Sequence, residues 1–190
     1  MVEMFRRTGL FVTALALAAG LAPVATASAA PVGASASASA PYCGITWGSQ
    51  PKTVSGAGTT ESGLTNIRAG RHDCFDRLVF DFHRGNARSY YVNYVATMHY
   101  AAGDWVIPLR GGAKLSIMLR ASQRPRTGGT YQCTNCTDLV NVSSYKTFRQ
   151  VAWAGSYRNT PSIGLGLRAR LPFRVFKLSN RLVIDVAHHW

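Results

Sequence analysis

The chain of 190 residues is short of acids, with 8 aspartates and glutamates against 21 lysines and arginines. Beyond the first thirty residues its one glutamate is Glu61, in a stretch rich in glycine, threonine and serine, and the aspartates occupy strand or turn positions. Retaining glycosidases need two carboxyl groups about 5 Å apart. Nothing in the sequence brings two together, so we expect no paired-carboxylate catalysis.

Long apolar runs are missing except at the N-terminus. The run Leu10–Val24 is shorter than the roughly 20 residues that span a membrane, and Gly20 and Pro23 interrupt it. An arginine pair precedes the run and small residues in A-x-A order follow it, which predicts a signal peptide over residues 1–30. The general export route is favoured over the twin-arginine route. We expect a secreted, extracellular chain with no stable membrane insertion after cleavage.

The composition divides the remaining chain into a linker and one domain. Residues 31–41 are almost wholly Ala, Ser, Gly, Val and Pro, which predicts a disordered leader. Residues 42–190 are globular in composition and long enough for one core. Losing two arginines and one glutamate with the signal lowers the net charge from +13 to +12. This charge favours polyanions, with nucleic acid bound only non-specifically, and is equally compatible with a role in solubility alone.

Four cysteines, an even number in an exported chain, indicate disulfides with three possible connectivities. Proximity in sequence favours Cys43–Cys74 and Cys133–Cys136. The first would join the N-terminal arm to the strand that follows Cys74. C-x-x-C spacing at Cys133–Cys136 is also found in redox and zinc sites, but no second C-x-x-C and no helical pattern accompany it, so a loop-pinning disulfide is the better interpretation.

One six-residue stretch occurs twice, as Arg77–Phe82 and as Arg181–Val186. Each copy alternates as a strand does, with one apolar face and one face that carries arginine and aspartate. Arg and Asp within a copy are roughly 13 Å apart and cannot pair with each other. If the copies were antiparallel neighbours, Arg77 would face Asp185 and Asp81 would face Arg181; the alternative is two unrelated core strands.

Other segments also alternate or are rich in β-branched and aromatic residues, and none beyond the signal has a sustained helical period. Gln50–Ser62 and Ala121–Asp138 read as polar loops. Glycine at every second position of 163–167 indicates that something packs close to that backbone. The sequence predicts an all-β fold, a single β-sandwich domain of antiparallel sheets. The remaining predicted strands are Leu64–Arg68, Ser89–His99, Trp105–Leu109, Lys114–Arg120, Val140–Val142, Phe148–Trp153, Ile163–Leu167 and Phe173–Lys177.

An ordered set of motifs spans Tyr42 to Trp190. It comprises Cys74–Phe80, Tyr91–Val95, Leu109–Leu115, Ile163–Leu167, Pro172–Val175 and Arg181–Val186. In this order the motifs resemble the AMIN-like domain of secreted actinobacterial proteins, related to the AMIN modules of cell-wall amidases. The resemblance implies a β-sandwich that localises at the cell envelope without catalytic machinery. Where such domains tend to have an acidic turn, this chain has Gly155–Asn159 with an arginine, which shifts the expected partner toward anions.

The candidate ligand-binding residues combine aromatic planes with a cationic donor. Trp153, Tyr157 and Arg158 lie at a predicted strand-to-turn edge, and Trp105 lies in another turn. Either tryptophan could instead belong to the core. The predicted function is non-enzymatic binding at the cell wall, with peptidoglycan or an anionic wall polymer as the partner and no cofactor or metal.

Two other functions remain open from the sequence. A basic secreted nuclease-like hydrolase would use His72, His83 and His99, with Arg71 or Arg84 to hold a phosphate. A partner-binding module would use the 121–138 loop. The pair His188–His189 could ligate a metal, but without a third spaced ligand we expect it to lie in a solvated tail.

Overall fold

A computed structural model describes residues 41–56, 62–121 and 131–190. The predicted signal peptide (1–30), nearly all of the predicted leader (31–41), Glu61 and the middle of the 121–138 loop lie outside the described residues. Within the described residues the protein is all-β, with antiparallel sheets and no α-helix. No helix among those residues is long and apolar enough to cross a membrane.

Eleven strands follow a single 3-10 turn at Tyr42–Gly44 in the described residues. Five form one sheet in the order β1-β4-β7-β9-β8, four form a second sheet in the order β10-β11-β3-β2, and β5 pairs with β6 as a separate hairpin. Their bounds are β1 Lys52–Val54, β2 Gly63–Arg71, β3 Phe75–His83, β4 Tyr90–Val95, β5 Met98–His99, β6 Val106–Ile107, β7 Ala113–Leu119, β8 Phe148–Tyr157, β9 Thr160–Leu167, β10 Phe173–Leu178 and β11 Arg181–Ala187.

The two copies of the repeated stretch are neighbours at the centre of the four-stranded sheet. They run antiparallel as β3 and β11, with Arg77 opposite Asp185 and Asp81 opposite Arg181. The predicted cross-strand pairing is therefore confirmed. Both pairs are ion pairs, with Arg77 Nε 2.6 Å from Asp185 and Arg181 Nε 3.2 Å from Asp81.

The apolar faces of the same strands form the core of the sandwich. Leu78 and Phe80 from β3 are fully buried, as are Leu182 and Ile184 from β11. They belong to one hydrophobic cluster with Leu115 and other inward residues of the five-stranded sheet. Burying one such side chain contributes about 1.5–3 kcal/mol, so the hydrophobic contact between the sheets is the main stabilising term.

Both predicted disulfides are present. Cys43–Cys74 joins the N-terminal arm to the turn before β3, across a sequence separation of 31 residues. The arm continues along the edge of the four-stranded sheet, where Gly48 forms a β-bridge with Phe173. Cys133–Cys136 closes a short loop. The first disulfide therefore closes a long stretch of chain and the second a local one.

The segment that contains Cys133–Cys136 covers the edge strand β8. The Trp153 amide donates to the Cys136 carbonyl at 2.8 Å, and the Leu139 amide donates to the Val151 carbonyl at 2.8 Å. These bonds satisfy backbone groups that an open sheet edge would leave unpaired, and so protect the edge from association with another strand.

Several predicted boundaries are wrong. Val140–Val142 is not a strand, because Asn141 accepts a hydrogen bond from the Ser143 amide and turns the backbone there. The predicted strand Ser89–His99 is divided by bends at residues 96–97 into β4 and β5. The predicted loop Gln50–Ser62 contains the short edge strand β1, which pairs with β4.

Candidate functional site

The segment from β5 to residue 110 crosses the outer face of the five-stranded sheet, over the two glycines of β9. A side-chain carbon at Gly164 would lie 2.7 Å from Leu109 Cδ1 and 3.2 Å from Met98 Cγ. One at Gly166 would strike the carbonyl of Arg110. This confirms the prediction that something packs close to the alternating glycines. Their missing side chains create the space in which the β5–β6 hairpin lies.

Two aromatic rings stack at the tip of this hairpin. The rings of Tyr100 and Trp105 have centroids 4.8 Å apart and planes 21° apart, and the Tyr100 amide donates to the Trp105 carbonyl at 3.1 Å. Gly103 lies beneath the indole, where a side chain would clash. Although it is held from these sides, Trp105 is 59% exposed. A large apolar ring is thus fixed in orientation and still open to solvent.

A β-bulge in β8 brings Tyr157 toward the same region. The pairing of β8 with β9 shifts between Trp153 and Ser156, and Gly155 has a φ of +89°. The extra residue reverses the face of the sheet on which each following side chain lies. Tyr157 therefore lies opposite Thr160, on the outer face rather than the core face. Tyr157 is 52% exposed.

The hairpin tip is attached to this bulge. The Ala101 amide donates to the Ala154 carbonyl at 2.7 Å, and the Tyr100 ring lies directly over Gly155, 2.7 Å from where a side-chain carbon would be. Tyr157 follows two residues later, roughly 7 Å along the strand. The rings of Tyr100, Trp105 and Tyr157 therefore share one end of the outer face.

Arg158 supplies a cation at the edge of this surface. Arg158 and Asn159 form the two-residue turn between β8 and β9, both with positive φ (47° and 59°), as in the primed turns that suit hairpins. The guanidinium carbon of Arg158 is 5.2 Å from the centroid of the Tyr157 ring. We call Tyr100, Trp105, Tyr157 and Arg158 the aromatic platform.

Trp153 is not part of this platform. It precedes the bulge and packs against the inner core cluster, with its ring centroid 5.6 Å from that of Tyr131. Three of the four predicted binding residues thus lie together and the fourth lies on the opposite face. The sequence analysis did not identify Tyr100. Its position across the Gly103–Asp104 turn from Trp105 could have indicated it, because residues on either side of a hairpin turn are cross-strand neighbours.

The outer face of the four-stranded sheet carries a second arrangement, which we call the arginine ladder. Asp185 is fully buried and accepts hydrogen bonds from Arg77 at 2.6 and 2.9 Å and from Arg174 at 2.8 Å. Asp81 is likewise held by two arginines, and its hydrogen bond raises the pKa of Arg68. The two triplets are Arg77–Asp185–Arg174 and Arg68–Asp81–Arg181.

Comparison with protein families matches residues 62–188 to the AMIN-like domain. The chain belongs to the AMIN-like family. Such domains are non-catalytic binding modules that occur in secreted cell-wall proteins. No curated protein and no solved structure matches the chain.

The AMIN-like domain does not bring the three histidines of the hydrolase hypothesis together. His72 precedes β3 and His83 ends it, which places them on the order of 26 Å apart along the strand. His99 lies in β5, on the outer face of the other sheet. Among the described residues, moreover, no three histidine, cysteine or acidic side chains are placed to hold a metal.

His188 is buried, so the prediction of a solvated tail is wrong for this residue. Its Nε2 lies 3.2 Å from Asp76 Oδ1 and its Nδ1 lies 3.0 Å from the carbonyl oxygen of Asp73. The other oxygen of Asp76 accepts the amides of Thr147 and Phe148. The buried polar pair thus joins the start of β3, the start of β8 and the C-terminal residues of the AMIN-like domain.

Proposed function

We propose that this AMIN-like domain attaches to the cell wall by binding a glycan polymer, peptidoglycan or an anionic wall polymer, on the aromatic platform. The observation that carries the proposal is Trp105, which the Tyr100 ring and the hairpin hold in place while more than half of it stays exposed. A pre-oriented aromatic ring loses little conformational entropy when a ligand covers it. Trp, Tyr and Arg are also the side chains that contribute most at binding surfaces.

Charge supports the same partner. The predicted mature chain has a net charge of +12. In the described residues three of the six aspartates form ion pairs with arginine, and a fourth, Asp76, is buried. Few acids are left to repel a polyanion. Long-range attraction would raise the rate of encounter, and Arg158 would supply a charge-assisted hydrogen bond beside the rings.

This function needs the chain outside the cell, so we also propose that residues 1–30 act as the export signal and that the mature domain is wall-associated. Binding to nucleic acid would be non-specific and due to charge alone. The protein would act by surface complementarity, without bond cleavage.

Binding to purified cell walls tests the proposal, with the mature chain sedimented in a series of salt concentrations. Trp105→Ala should remove about 2 kcal/mol of binding free energy, roughly a thirtyfold loss of affinity. Trp190→Ala is the matched control, because Trp190 is 71% exposed elsewhere on the surface; it should change affinity less than twofold. Arg158→Asn keeps a residue that tolerates positive φ and should weaken the dependence of binding on salt. Equal affinity for Trp105→Ala and the wild type would exclude the platform as the binding surface.

A further inference from the structure

A polar groove lies at the end of the four-stranded sheet where β2 leads into β3. One wall is the end of β2 and the turn after it, residues 69–73, and the other wall is residues 144–146 before β8. The buried pair of Asp76 and His188 forms its floor. The groove has a volume of about 610 Å³ and is open to solvent.

Each wall carries a cation. Arg71 and Lys146 are exposed, and the nitrogens of their side chains have no ion-pair or hydrogen-bond partner among the described residues. Neutral donors accompany them, namely the hydroxyl groups of Ser144 and Tyr145. His72 adds an imidazole ring that stacks on Phe75, with centroids 4.4 Å apart.

The floor contains one carboxylate, which is buried and already hydrogen-bonded. The Asp76 carboxylate already accepts two backbone amides and faces His188. Asp73 is an exposed acid at the groove. Among the described residues that line the groove, the exposed charges are therefore two cations and one carboxylate, and the second carboxylate, Asp76, is buried. The groove is therefore a place where an anion would be attracted and would find hydrogen-bond donors on both sides.

We propose that this groove binds the phosphodiester group of an anionic wall polymer, an inference that rests on the proposed function and specifies its ligand. A phosphodiester directs its oxygens tetrahedrally, so it can accept from Arg71 on one wall and from Lys146 and the hydroxyls on the other. A planar carboxylate directs two oxygens within one plane and matches a single guanidinium best. The groove and the platform would contact separate parts of one polymer, which raises affinity through effective concentration.

The groove binds this group without cleaving it. Hydrolysis of a phosphodiester by histidines needs one group to take a proton and another to donate one. Both ring nitrogens of His188 already face protein oxygens. Of the described residues that line the groove, this leaves His72 as the one histidine open to a ligand.

The test follows backbone amide shifts of the isotope-labelled mature chain during titration with dimethyl phosphate, a minimal phosphodiester, at constant ionic strength. Saturating shifts are expected at residues 70–73 and 144–147. Arg71→Ala combined with Lys146→Ala should weaken binding about tenfold, the loss of one charge-assisted bond or more. Arg120→Ala combined with Lys177→Ala removes the same charge from exposed positions elsewhere and should change affinity less than twofold.

Parallel titrations with acetate and inorganic phosphate complete the design. Equal saturation by acetate, or saturation by inorganic phosphate and not by dimethyl phosphate, would refute a phosphodiester site. If both double variants weaken the binding of dimethyl phosphate equally, the effect is due to net charge alone, which would also refute a phosphodiester site. Failure of the groove proposal can be distinguished from failure of the proposed function. Trp105→Ala should bind dimethyl phosphate as the wild type does, and the double variant Arg71→Ala, Lys146→Ala should still sediment with walls through the platform.

Discussion

Replacing Asp185 by asparagine tests how far the arginine ladder stabilises the sandwich. Asp185 is 0% exposed and lies between two guanidinium groups, those of Arg77 and Arg174. Both groups also lie 5.1–5.5 Å from the ring centroids of Phe75 and Phe176. Asparagine has nearly the same shape as aspartate, so the substitution removes the negative charge and leaves the packing in place.

The expected cost follows from burial. Removing one partner of a buried ion pair typically costs 3–5 kcal/mol, because the remaining charge is left uncompensated. The two arginines keep a quarter to a third of their side chains exposed, so water compensates them in part and we expect about 3 kcal/mol. For a domain of this size that loss lowers Tm by roughly 6–12 °C.

Asp81 provides the matched control. It lies on the same two strands and is also held by two arginines, but it is 22% exposed and its partners are about half exposed. Exposed pairs contribute about 1 kcal/mol or less. Urea unfolding of Asp185→Asn and Asp81→Asn should therefore show a midpoint shift about three times larger for the first, at unchanged slope. Equal midpoint shifts would show that burial does not determine how much each ion-pair triplet contributes to the free energy of unfolding, and would refute this reasoning.

Two further predictions concern stability. Replacing both Cys43 and Cys74 by serine should lower the free energy of unfolding, measured in urea, by about 3–4 kcal/mol, and replacing Cys133 and Cys136 should lower it by about 2 kcal/mol. The first loss is larger because the disulfide that closes the longer loop restricts the unfolded chain more. A larger loss at Cys133 and Cys136 would contradict this explanation. Burial raises the pKa of Tyr94 to about 12. An unfolded chain loses this proton near pH 10, so the contribution of Tyr94 to the free energy of unfolding should be constant below pH 10 and fall between about pH 10 and 12. Tyr94→Phe should reduce that alkaline decline in a pH series of unfolding curves, and an unchanged decline would assign it to other groups.

The pairing of the repeated strands was predictable because it depends on complementary charges at matching positions of two extended segments. Arg77 and Asp185 are 108 residues apart in sequence, yet the four-residue spacing within each copy allows one antiparallel register to satisfy both pairs. The glycines at 164 and 166 were informative for a similar reason. A missing side chain on one face requires something else to occupy that space.

Features that depend on irregular backbone or on contacts between distant segments were not predictable. The bulge at Gly155 reverses the alternation after Trp153, and strict period-two reasoning places Tyr157 and Trp153 on one face. The burial of His188 depends on Asp76, 112 residues away, and a dipeptide of histidines near a chain end carries no sign of such a partner. The groove likewise joins two segments that share no pattern.

The most direct test of the account is to locate the surface that wall glycan contacts. Amide shifts of the labelled mature chain should be followed during titration with soluble wall fragments freed of phosphate-bearing polymer. The shifts should be concentrated at residues 99–106 and 154–160, with the indole resonance of Trp105 among the most affected. Shifts confined to the four-stranded sheet, or none at these two segments while the fragments still bind, would contradict it.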